Sequence, residues 1–172
     1  MRRQTAALGS AVFLVVAPGT VAGLVPWLLT RWDSGDPAGH WVWARGVGGV
    51  LIAAGTLALL DAFTRFAREG RGTPIPAAPP EDLVVTGLYR YVRNPMYVAI
   101  LAIILGQSLL LWRPVLLAYA VLVWAVPAAF VRWYEEPSLA RRFGAQYDAY
   151  KRAVPAWWPR LRPWRPTHGT GR

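Results

Sequence analysis

One apolar stretch decides the fold: residues 94–131, NPMYVAILAIILGQSLLLWRPVLLAYAVLVWAVPAAFV, which contain a single charged side chain, Arg113. One helix of that length would extend roughly 57 Å, nearly twice the thickness of about 30 Å of a bilayer's hydrocarbon core. Trp112-Arg113-Pro114 therefore predicts a turn. Residues 94–111 and 115–131 become the arms of a helical hairpin whose two ends return to the same face of a membrane.

The composition of the whole chain also indicates a membrane protein. Of its 172 residues 55% are apolar and 16% are charged, and the mean hydropathy is +0.28. The net charge of +10, beside long apolar runs, favours contact with anionic lipids on the cytoplasmic side rather than with nucleic acid. Because the chain has no cysteine and only two histidines, we predict no disulfide, no cysteine nucleophile and no metal site.

Two further spans precede the hairpin. Residues 4–30 carry no charge, and Pro18 and Pro26 within them predict a kinked helix whose freed carbonyls need partners on neighbouring helices. Residues 46–60 form a shorter apolar core, which extends to about Phe66 if Asp61 and Arg65 pair one turn apart. The fold class predicted is an all-α integral membrane protein with about four transmembrane helices, the last two a hairpin, followed by a cytoplasmic amphipathic helix.

Basic residues outside the spans predict the orientation. Sixteen of the 19 Lys and Arg fall on one side of the predicted topology, and Arg31, Arg45 and Arg113 fall on the other. The positive-inside rule then places both termini in the cytoplasm, which for a bacterial chain means the inner membrane. Residues 1–3 followed by an apolar run also suit a cleavable signal peptide, but the run is long and no clear cleavage site follows.

The sequence predicts one domain, residues 1–172, with two halves. A proline-rich connector, residues 70–80, separates an N-terminal helix pair (1–69) from the chemically informative part (81–160). Glycines 46, 48, 49 and 55 follow no strand, so they indicate close helix packing rather than a dinucleotide fingerprint.

Two features follow the hairpin. Residues 135–154 place Leu139, Phe143, Tyr147 and Tyr150 at helical spacing on one face, which predicts an amphipathic helix on the cytoplasmic surface. Tryptophans 157, 158 and 164, among prolines and arginines, predict an aromatic and basic anchor at the membrane interface.

The segment entering the third span, residues 83–97 (LVVTGLYRYVRNPMY), is the most informative one. It suits a juxtamembrane anchor in which Asn94 caps a helix that begins at Pro95. The hairpin, however, returns residues 132–136 to within roughly 8 to 10 Å of Asn94-Pro95. Paired carboxylates, helix-start N–H groups and aromatic rings would then suit a zwitterionic, cationic ligand with an aromatic base, such as S-adenosylmethionine.

At these residues the sequence resembles the family of integral-membrane S-adenosylmethionine-dependent methyltransferases that includes isoprenylcysteine carboxyl methyltransferase and the phospholipid N-methyltransferases. The resemblance covers residues 80–160, and the short chain is similar to a bacterial member with only the common helical core. It rests on four motifs in order: Gly87-x-Tyr89-x-x-x-Arg93-Asn94-Pro95-x-Tyr97, Glu135-Glu136, Phe143-Gly144-x-x-Tyr147-x-x-Tyr150, and Arg152-x-Val154-Pro155.

The resemblance implies a site for the cofactor S-adenosylmethionine, with Glu135 binding its ammonium group. The adenosine side would be lined by Leu83, Val84 and Tyr89. The amino-acid end would be held by Asn94, Pro95, Met96 and Tyr97.

Two departures from the family pattern bear on the chemistry. Asn94 stands where the eukaryotic enzymes have His, so a proton-transfer role at that position is lost. The substrate-orienting arginine of the carboxyl methyltransferases falls on Val131, so the arginines left for substrate binding are Arg132 first and Arg93 second. Arg132 and Glu136 are the predicted catalytic residues, with Glu136 or a tyrosine accepting a proton from an amine.

The function predicted is methyl transfer from S-adenosylmethionine to a lipophilic, lipid-like or isoprenoid-like acceptor, at a carboxylate or an amine, entering between the hairpin arms. Two alternatives stay open. A membrane reductase of the sterol-reductase type shares a similar helical layout, and a non-enzymatic adaptor would use the basic surface to recruit anionic lipid.

Overall fold

The computed structural model describes residues 16–35, 42–69 and 83–165, and within these ranges the chain is helical, without a strand. The helices are α1 (Val16–Thr30), α2 (Val42–Glu69), α3 (Pro95–Leu111), α4 (Val115–Phe130), α5 (Glu136–Phe143) and α6 (Ala145–Ala153). The pairing of α2 with α3 and the α3–α4 hairpin form the body of the protein, and α5, α6 and the following tail cover one end.

The turn between α3 and α4 lies where the sequence predicts it. Trp112 ends α3 in the left-handed region, with a φ of 52°, and Pro114 precedes the first residue of α4. Ser108 holds the turn, because its carbonyl accepts the N–H of Arg113 at 3.1 Å and its hydroxyl donates to the Arg113 carbonyl at 3.1 Å. The predicted hairpin is confirmed.

Glycines let α2 and α3 pack backbone to backbone in antiparallel orientation. A Cβ added at Gly48 would lie 2.6 Å from the carbonyl oxygen of Gly106, and one at Gly55 would lie 2.8 Å from that of Ala99. Gly46 and Gly49 have nothing within 4 Å of the corresponding position. The prediction of close packing by small residues is therefore confirmed for Gly48 and Gly55, which lie two turns apart on one face.

α1 departs from α-geometry in a π-helical turn, Thr20–Leu24, just before Pro26. Proline has no N–H, so the carbonyls one turn before it lose their helical donor. The carbonyl of Ala22 instead accepts Nε2 of Gln107 at 2.7 Å, and that of Val21 accepts the Tyr119 hydroxyl at 2.9 Å. The expectation that neighbouring helices satisfy the freed carbonyls is confirmed at Pro26, and these two bonds tie α1 to both arms of the hairpin.

Within the described part of the chain, two helical segments are long and apolar enough to cross a membrane, Val42–Arg65 and Val115–Phe143. α1 and α3 are apolar but shorter, and residues 4–15 of the predicted first span lie outside the described part of the chain. The count of four spans therefore stays a prediction. Large apolar side chains on α4 are exposed, as at Val121 and Val126, which is what a lipid-facing helix presents.

The extension of the second span is confirmed. Arg65 donates to both carboxylate oxygens of Asp61 at 3.0 Å, and α2 continues to Glu69. The connector, residues 70–80, lies outside the described residues.

The predicted single amphipathic helix over residues 135–154 is wrong, because the chain breaks at Gly144. Gly144 has a φ of +50° and a ψ of −128°, a conformation that a side chain makes costly, and it separates α5 from α6. The apolar face survives the break, since Leu139 and Phe143 still pack with the buried Tyr147 and Tyr150. The cytoplasmic position of this region stays a prediction.

Gly48→Ala is expected to destabilise the protein by on the order of 1 to 3 kcal/mol, because the new methyl group meets backbone atoms of α3 that cannot move aside. Gly46→Ala is the matched control on the same helix, and it should be neutral or stabilising by up to about 1 kcal/mol. Thermal unfolding of the detergent-purified variants measures both. Equal melting temperatures for the two variants would contradict the proposed backbone contact.

Tyr119→Phe is expected to destabilise by about 1 to 2 kcal/mol, because it leaves the Val21 carbonyl without a donor in an apolar environment. In a Pro26→Ala background the new N–H of residue 26 supplies a donor, so the same change should cost less. A double-mutant cycle on unfolding free energies measures the difference. If the changes in unfolding free energy of the two single variants simply add in the double variant, the Tyr119 hydroxyl does not compensate for the N–H that Pro26 lacks.

Candidate active site

The segment before α3 is shaped by Gly87 and packs on α2. Gly87 has a φ of +50°, and the side chain of Arg65 occupies the space that a Cβ at this position would need. A 3-10 turn, Gly87–Arg90, follows and buries the ring of Tyr89. Glycine is therefore required here both by conformation and by space.

Arg93 is the centre of the polar contacts at this end of the molecule. Its Nη1 donates to Oε1 of Glu136 at 2.7 Å and to the hydroxyl of Tyr147 at 3.1 Å, and its Nε donates to the carbonyl of Val154 at 2.9 Å. Its backbone N–H donates to the carbonyl of Pro155 at 2.9 Å. One side chain thus joins the start of α3 to α5, α6 and the tail.

Glu136 is a structural carboxylate in this geometry. Its Oε1 accepts from Arg93 and its Oε2 accepts from Nζ of Lys151 at 2.6 Å, and the side chain is only 7% exposed. Because both oxygens are engaged by cations, the carboxylate is held ionised and is poorly placed to take a proton from a substrate. The proton-acceptor role predicted for Glu136 does not fit these contacts.

Glu135 has the opposite surroundings. Among the described residues it has no hydrogen-bond or ion-pair partner, and it lines the same cavity as Tyr97. The adjacent carboxylates therefore divide into one that holds the fold and one that is free to bind a ligand.

A π-helical turn, Val131–Glu135, presents these carboxylates. The N–H of Glu136 reaches back five residues to the carbonyl of Val131, and Pro137 follows without an N–H. Pro137 lies in the first turn of α5, and α4, the π-turn and α5 continue as one rod, Val115–Phe143.

Gly144 lets α6 turn back toward the site. Tyr147 accepts its bond from Arg93, and the hydroxyl of Tyr150 donates to the carbonyl of Tyr89 at 2.7 Å. Burial raises the pKa of Tyr147 to about 12 and also raises the pKa of Tyr150, so both hydroxyls are neutral at physiological pH. They position backbone and side chains, and neither suits the role of proton acceptor.

The tail after α6 is a strap across the segment before α3. Both the backbone N–H and Nδ2 of Asn94 donate to the carbonyl of Ala156 at 3.2 Å, so Asn94 makes no side-chain cap on α3. The backbone N–H groups of Arg160 and Trp164 donate to the carbonyls of Tyr91 and Arg90, respectively. The capping role considered for Asn94 is wrong, although Pro95 does begin the helix.

The three tryptophans of the tail differ in their contacts and in their exposure. Trp157 lies between Tyr97 and Trp124, with ring centroids 6.1 and 6.3 Å away, and Trp164 packs on Tyr150 at 5.4 Å. Only Trp158 among the three predicted anchors is largely exposed, at 82%. Trp157 and Trp164 are half-buried and pack against the protein, and the anchor at the membrane interface stays a prediction.

A cavity of about 670 Å³ lies between the helices at this end. All eight residues predicted to bind the cofactor line it, and so do Arg93 and Glu136. Those eight are Leu83, Val84, Tyr89, Asn94, Pro95, Met96, Tyr97 and Glu135.

Arg132, the first-ranked substrate arginine, does not line the cavity and is exposed. Arg93 does line it, but its Nε and Nη1 atoms donate to groups of the protein itself. The substrate roles of both arginines stay predictions that these contacts do not support.

The contributions of α1 and α2 to the cavity were not predicted from the sequence. They supply apolar walls at Ala17, Pro18, Val21, Leu59 and Phe63. For α2 a signal was present, because Leu59 and Phe63 continue the face on which Gly48 and Gly55 contact α3. For α1 the sequence carries no comparable pattern.

This fold and cavity define a helical membrane protein with a mostly apolar pocket in which, among the described residues, the carboxylate of Glu135 has no partner. The chain belongs to the phospholipid methyltransferase family, whose sequence profile matches residues 43–146. Over 71 residues it is 31% identical to a phosphatidylethanolamine N-methyltransferase of Phaeosphaeria nodorum (strain SN15), a stretch that covers 41% of this chain and 8% of that relative. The chain thus spans a small part of the curated relative's length. No solved structure matches the chain.

The resemblance to membrane methyltransferases is therefore confirmed. Membership of this family favours a methyltransferase over the reductase and the adaptor. The bacterial type and the inner-membrane location stay predictions.

The two adjacent carboxylates allow a matched test of the site's architecture. Glu136→Gln is expected to destabilise by roughly 3 to 5 kcal/mol, because it leaves the buried guanidinium of Arg93 without its counter-charge. Glu135→Gln should leave the melting temperature unchanged or raise it, because it removes a carboxylate that has no partner in the described structure. Thermal unfolding without ligand distinguishes the two variants, and the reverse order would overturn the assignment.

Proposed function

We propose that this chain transfers a methyl group from S-adenosylmethionine to the amine of a membrane phospholipid. The observation that carries the proposal is the free carboxylate of Glu135 in a cavity that also contains the N-terminus of α3. Family membership supports the reaction class.

The residues present fit the cofactor. The cavity volume of about 670 Å³ falls in the range of small-molecule sites, roughly 300 to 1,000 Å³. Glu135 suits an ammonium group, and the N–H groups of Met96 and Tyr97, which a helix leaves without internal acceptors, suit a carboxylate. Leu83, Val84 and Tyr89 supply apolar surface for the adenosine, and the ring face of Tyr97 suits a cationic sulfonium.

When bound, S-adenosylmethionine supplies a methyl group that is already activated by its positively charged sulfur. The chain's task is therefore to orient the two reactants and to exclude water. Tyr97 is held for this task by its packing against Trp157, and Arg93 fixes the start of α3 relative to α5.

The acceptor must reach the site as a neutral amine, since an ammonium has no lone pair. Both oxygens of Glu136 are occupied and the Tyr147 hydroxyl is neutral, so we propose that the amine loses its proton to water at the membrane surface before transfer. This replaces the proton-acceptor role predicted for Glu136.

An amine fits better than a carboxylate acceptor. Val131, at the position of the orienting arginine of the carboxyl methyltransferases, is an apolar residue buried at 4% exposure that lines the cavity. A substrate carboxylate would lack its cation there. Arg132, exposed in the π-turn, suits a contact with the phosphate of a lipid headgroup outside the cavity.

The orientation proposed follows the distribution of basic residues. Arg93, Arg132 and Lys151 share the end of the molecule that holds Glu135. Placing that end in the cytoplasm satisfies the positive-inside rule and gives the site access to a water-soluble cofactor.

Glu135→Gln is expected to weaken S-adenosylmethionine binding at least 30-fold, because a desolvated ammonium loses its carboxylate, a change worth about 2 to 5 kcal/mol. Calorimetry on purified protein measures the affinity, and transfer of radiolabelled methyl groups into extracted lipid measures the activity. Arg141→Gln, an exposed charge away from the cavity, is the matched control and should behave as wild type.

Two results would contradict the proposal. Unchanged affinity in Glu135→Gln would remove Glu135 from the cofactor site. Label in soluble molecules alone, with none in phospholipid, would overturn the acceptor.

A further inference from the structure

A second, open groove lies on α1 at the end of the molecule opposite the candidate active site. The described residues that line it are Gly23, Leu24, Trp27 and Trp32, and its volume is about 400 Å³. A Cβ added at Gly23 would have nothing within 4 Å, so the groove is open at this position. We call this feature the α1 groove; none of these four residues lines the larger cavity.

The α1 groove lies on an uncovered flank of the helix. Leu24 and Trp32 are 49% and 57% exposed, whereas Pro26 and Thr30 on the same helix are buried. The segment after the groove is fixed to the hairpin turn, because Nε of Arg113 donates to the carbonyl of Asp33 at 2.9 Å. The hairpin thus supports α1 from one side and leaves the groove open on another.

A strained turn brings Trp32 back to the groove. Arg31 and Trp32 both have left-handed backbones, with φ of 51° and 57°, which is uncommon for two successive residues other than glycine. The hydroxyl of Thr30 fixes the turn, because it donates to the carbonyl of Pro26 at 2.7 Å and accepts the N–H of Trp32 at 3.1 Å. As a result, Trp27 and Trp32 line the same groove.

The guanidinium group of Arg31 lies at the groove with its donors unused. Its carbon is 4.4 Å from the centre of the Trp27 ring. The side chain has no hydrogen bond or ion pair to any residue that the structure describes. A guanidinium group on an aromatic face keeps its N–H groups in its own plane, where they can bind an anion.

The charge around the groove also favours an anion. At this end of the molecule the described charged residues are Arg31, Arg45 and Arg113 against Asp33. Arg45 and Arg113 donate to uncharged groups of the protein, a hydroxyl and backbone carbonyls, and among the described residues neither is paired with a carboxylate. Their positive charge therefore adds to that of Arg31.

The position of the groove suits a lipid with its headgroup at Arg31. Four described tryptophans lie at this end, and tryptophan is enriched at the level of the headgroups; they are Trp27, Trp32, Trp43 and Trp112. From Arg31 to Gly23 the helix extends about 12 Å toward the middle of the bilayer. A free phosphate ion would use the guanidinium group but leave the apolar part of the groove empty.

We propose that the α1 groove binds an anionic phospholipid of the leaflet opposite the candidate active site. Its phosphate lies at Arg31, and one acyl chain follows Trp27 and Trp32 to Gly23. This site is independent of the proposed methyl transfer, and a result against either proposal leaves the other standing.

Two glycines on α1 allow a matched test. Gly23→Leu fills the groove, whereas Gly19→Leu puts the same side chain at a position of α1 that also has nothing within 4 Å but does not line the groove. Each detergent-purified variant is mixed with phosphatidylglycerol, phosphatidylcholine or inorganic phosphate. Thermal unfolding measures stabilisation, and native mass spectrometry counts the retained lipids.

Phosphatidylglycerol is expected to raise the melting temperature of the wild type about 4 °C or more above the value with phosphatidylcholine, with one lipid retained. Gly19→Leu should keep this difference, and Gly23→Leu should lose most of it. Arg31→Gln changes an exposed side chain and leaves the groove open, so it decides the matter even if Gly23→Leu does not fold. It should abolish the preference for phosphatidylglycerol, because the cation is gone.

Three results would overturn the site. The first is an equal effect of phosphatidylglycerol on Gly23→Leu and on the wild type. The second is the same stabilisation by inorganic phosphate alone, which would leave no part for the acyl chain. The third is a lower oligomeric mass of Gly23→Leu in light scattering, which would assign the groove to a second copy of the chain.

Discussion

The rest of the site depends on the hydrogen bonds that the guanidinium group of Arg93 donates. The Arg93 side chain is nearly buried, at 11% exposure, and it links groups that are far apart in the sequence. Glu136 lies at the end of the π-turn, Tyr147 on α6 and Val154 at the start of the strap. A planar fork with several fixed donors can bridge such groups, whereas the single ammonium of a lysine cannot do so with the same geometry. The cavity has its shape because these elements meet at one cation.

Backbone hydrogen bonding in an apolar environment is the second constraint. Each π-turn ends two residues before a proline, Leu24 before Pro26 and Glu135 before Pro137. A proline in a lipid-embedded helix leaves carbonyls without donors, and the chain answers with a widened turn and, at Pro26, with side chains from neighbouring helices. One of these turns holds α1 to the hairpin, and the other presents the carboxylate proposed to bind the cofactor. A π-turn before a proline thus contributes to helix packing at Pro26 and to the candidate site at Pro137.

Features encoded in local spacing could be predicted from the sequence. The turn at Trp112-Arg113-Pro114 and the packing of Gly48 and Gly55 follow from charge gaps and small residues. Hairpin length also predicts that Asn94 and Glu135 meet at one end, whereas the places of Leu83, Val84 and Tyr89 in the cavity were implied by the family resemblance. The break at Gly144 could not, since a single glycine within a helical pattern is often tolerated.

The different surroundings of Glu135 and Glu136 could not be predicted either. They depend on where Lys151 and Arg93 point once α6 has turned back, and two adjacent identical residues carry no sequence signal that tells them apart. Arg132 is the reverse case. Its position next to Val131 in the sequence suggested a substrate-binding role, but its side chain is exposed and does not line the cavity.

The strap also sets an order for biosynthesis. The ribosome delivers α1 to α4 first, and those segments can insert while residues 154–164 are still to be made. Until then the backbone N–H groups of Arg93 and Asn94 lack their acceptors at Pro155 and Ala156, and the guanidinium lacks the carbonyl of Val154. The helices can therefore be in place before the cavity has its final form. The cavity takes that form only once residues 154–164 have emerged and pack over the start of α3.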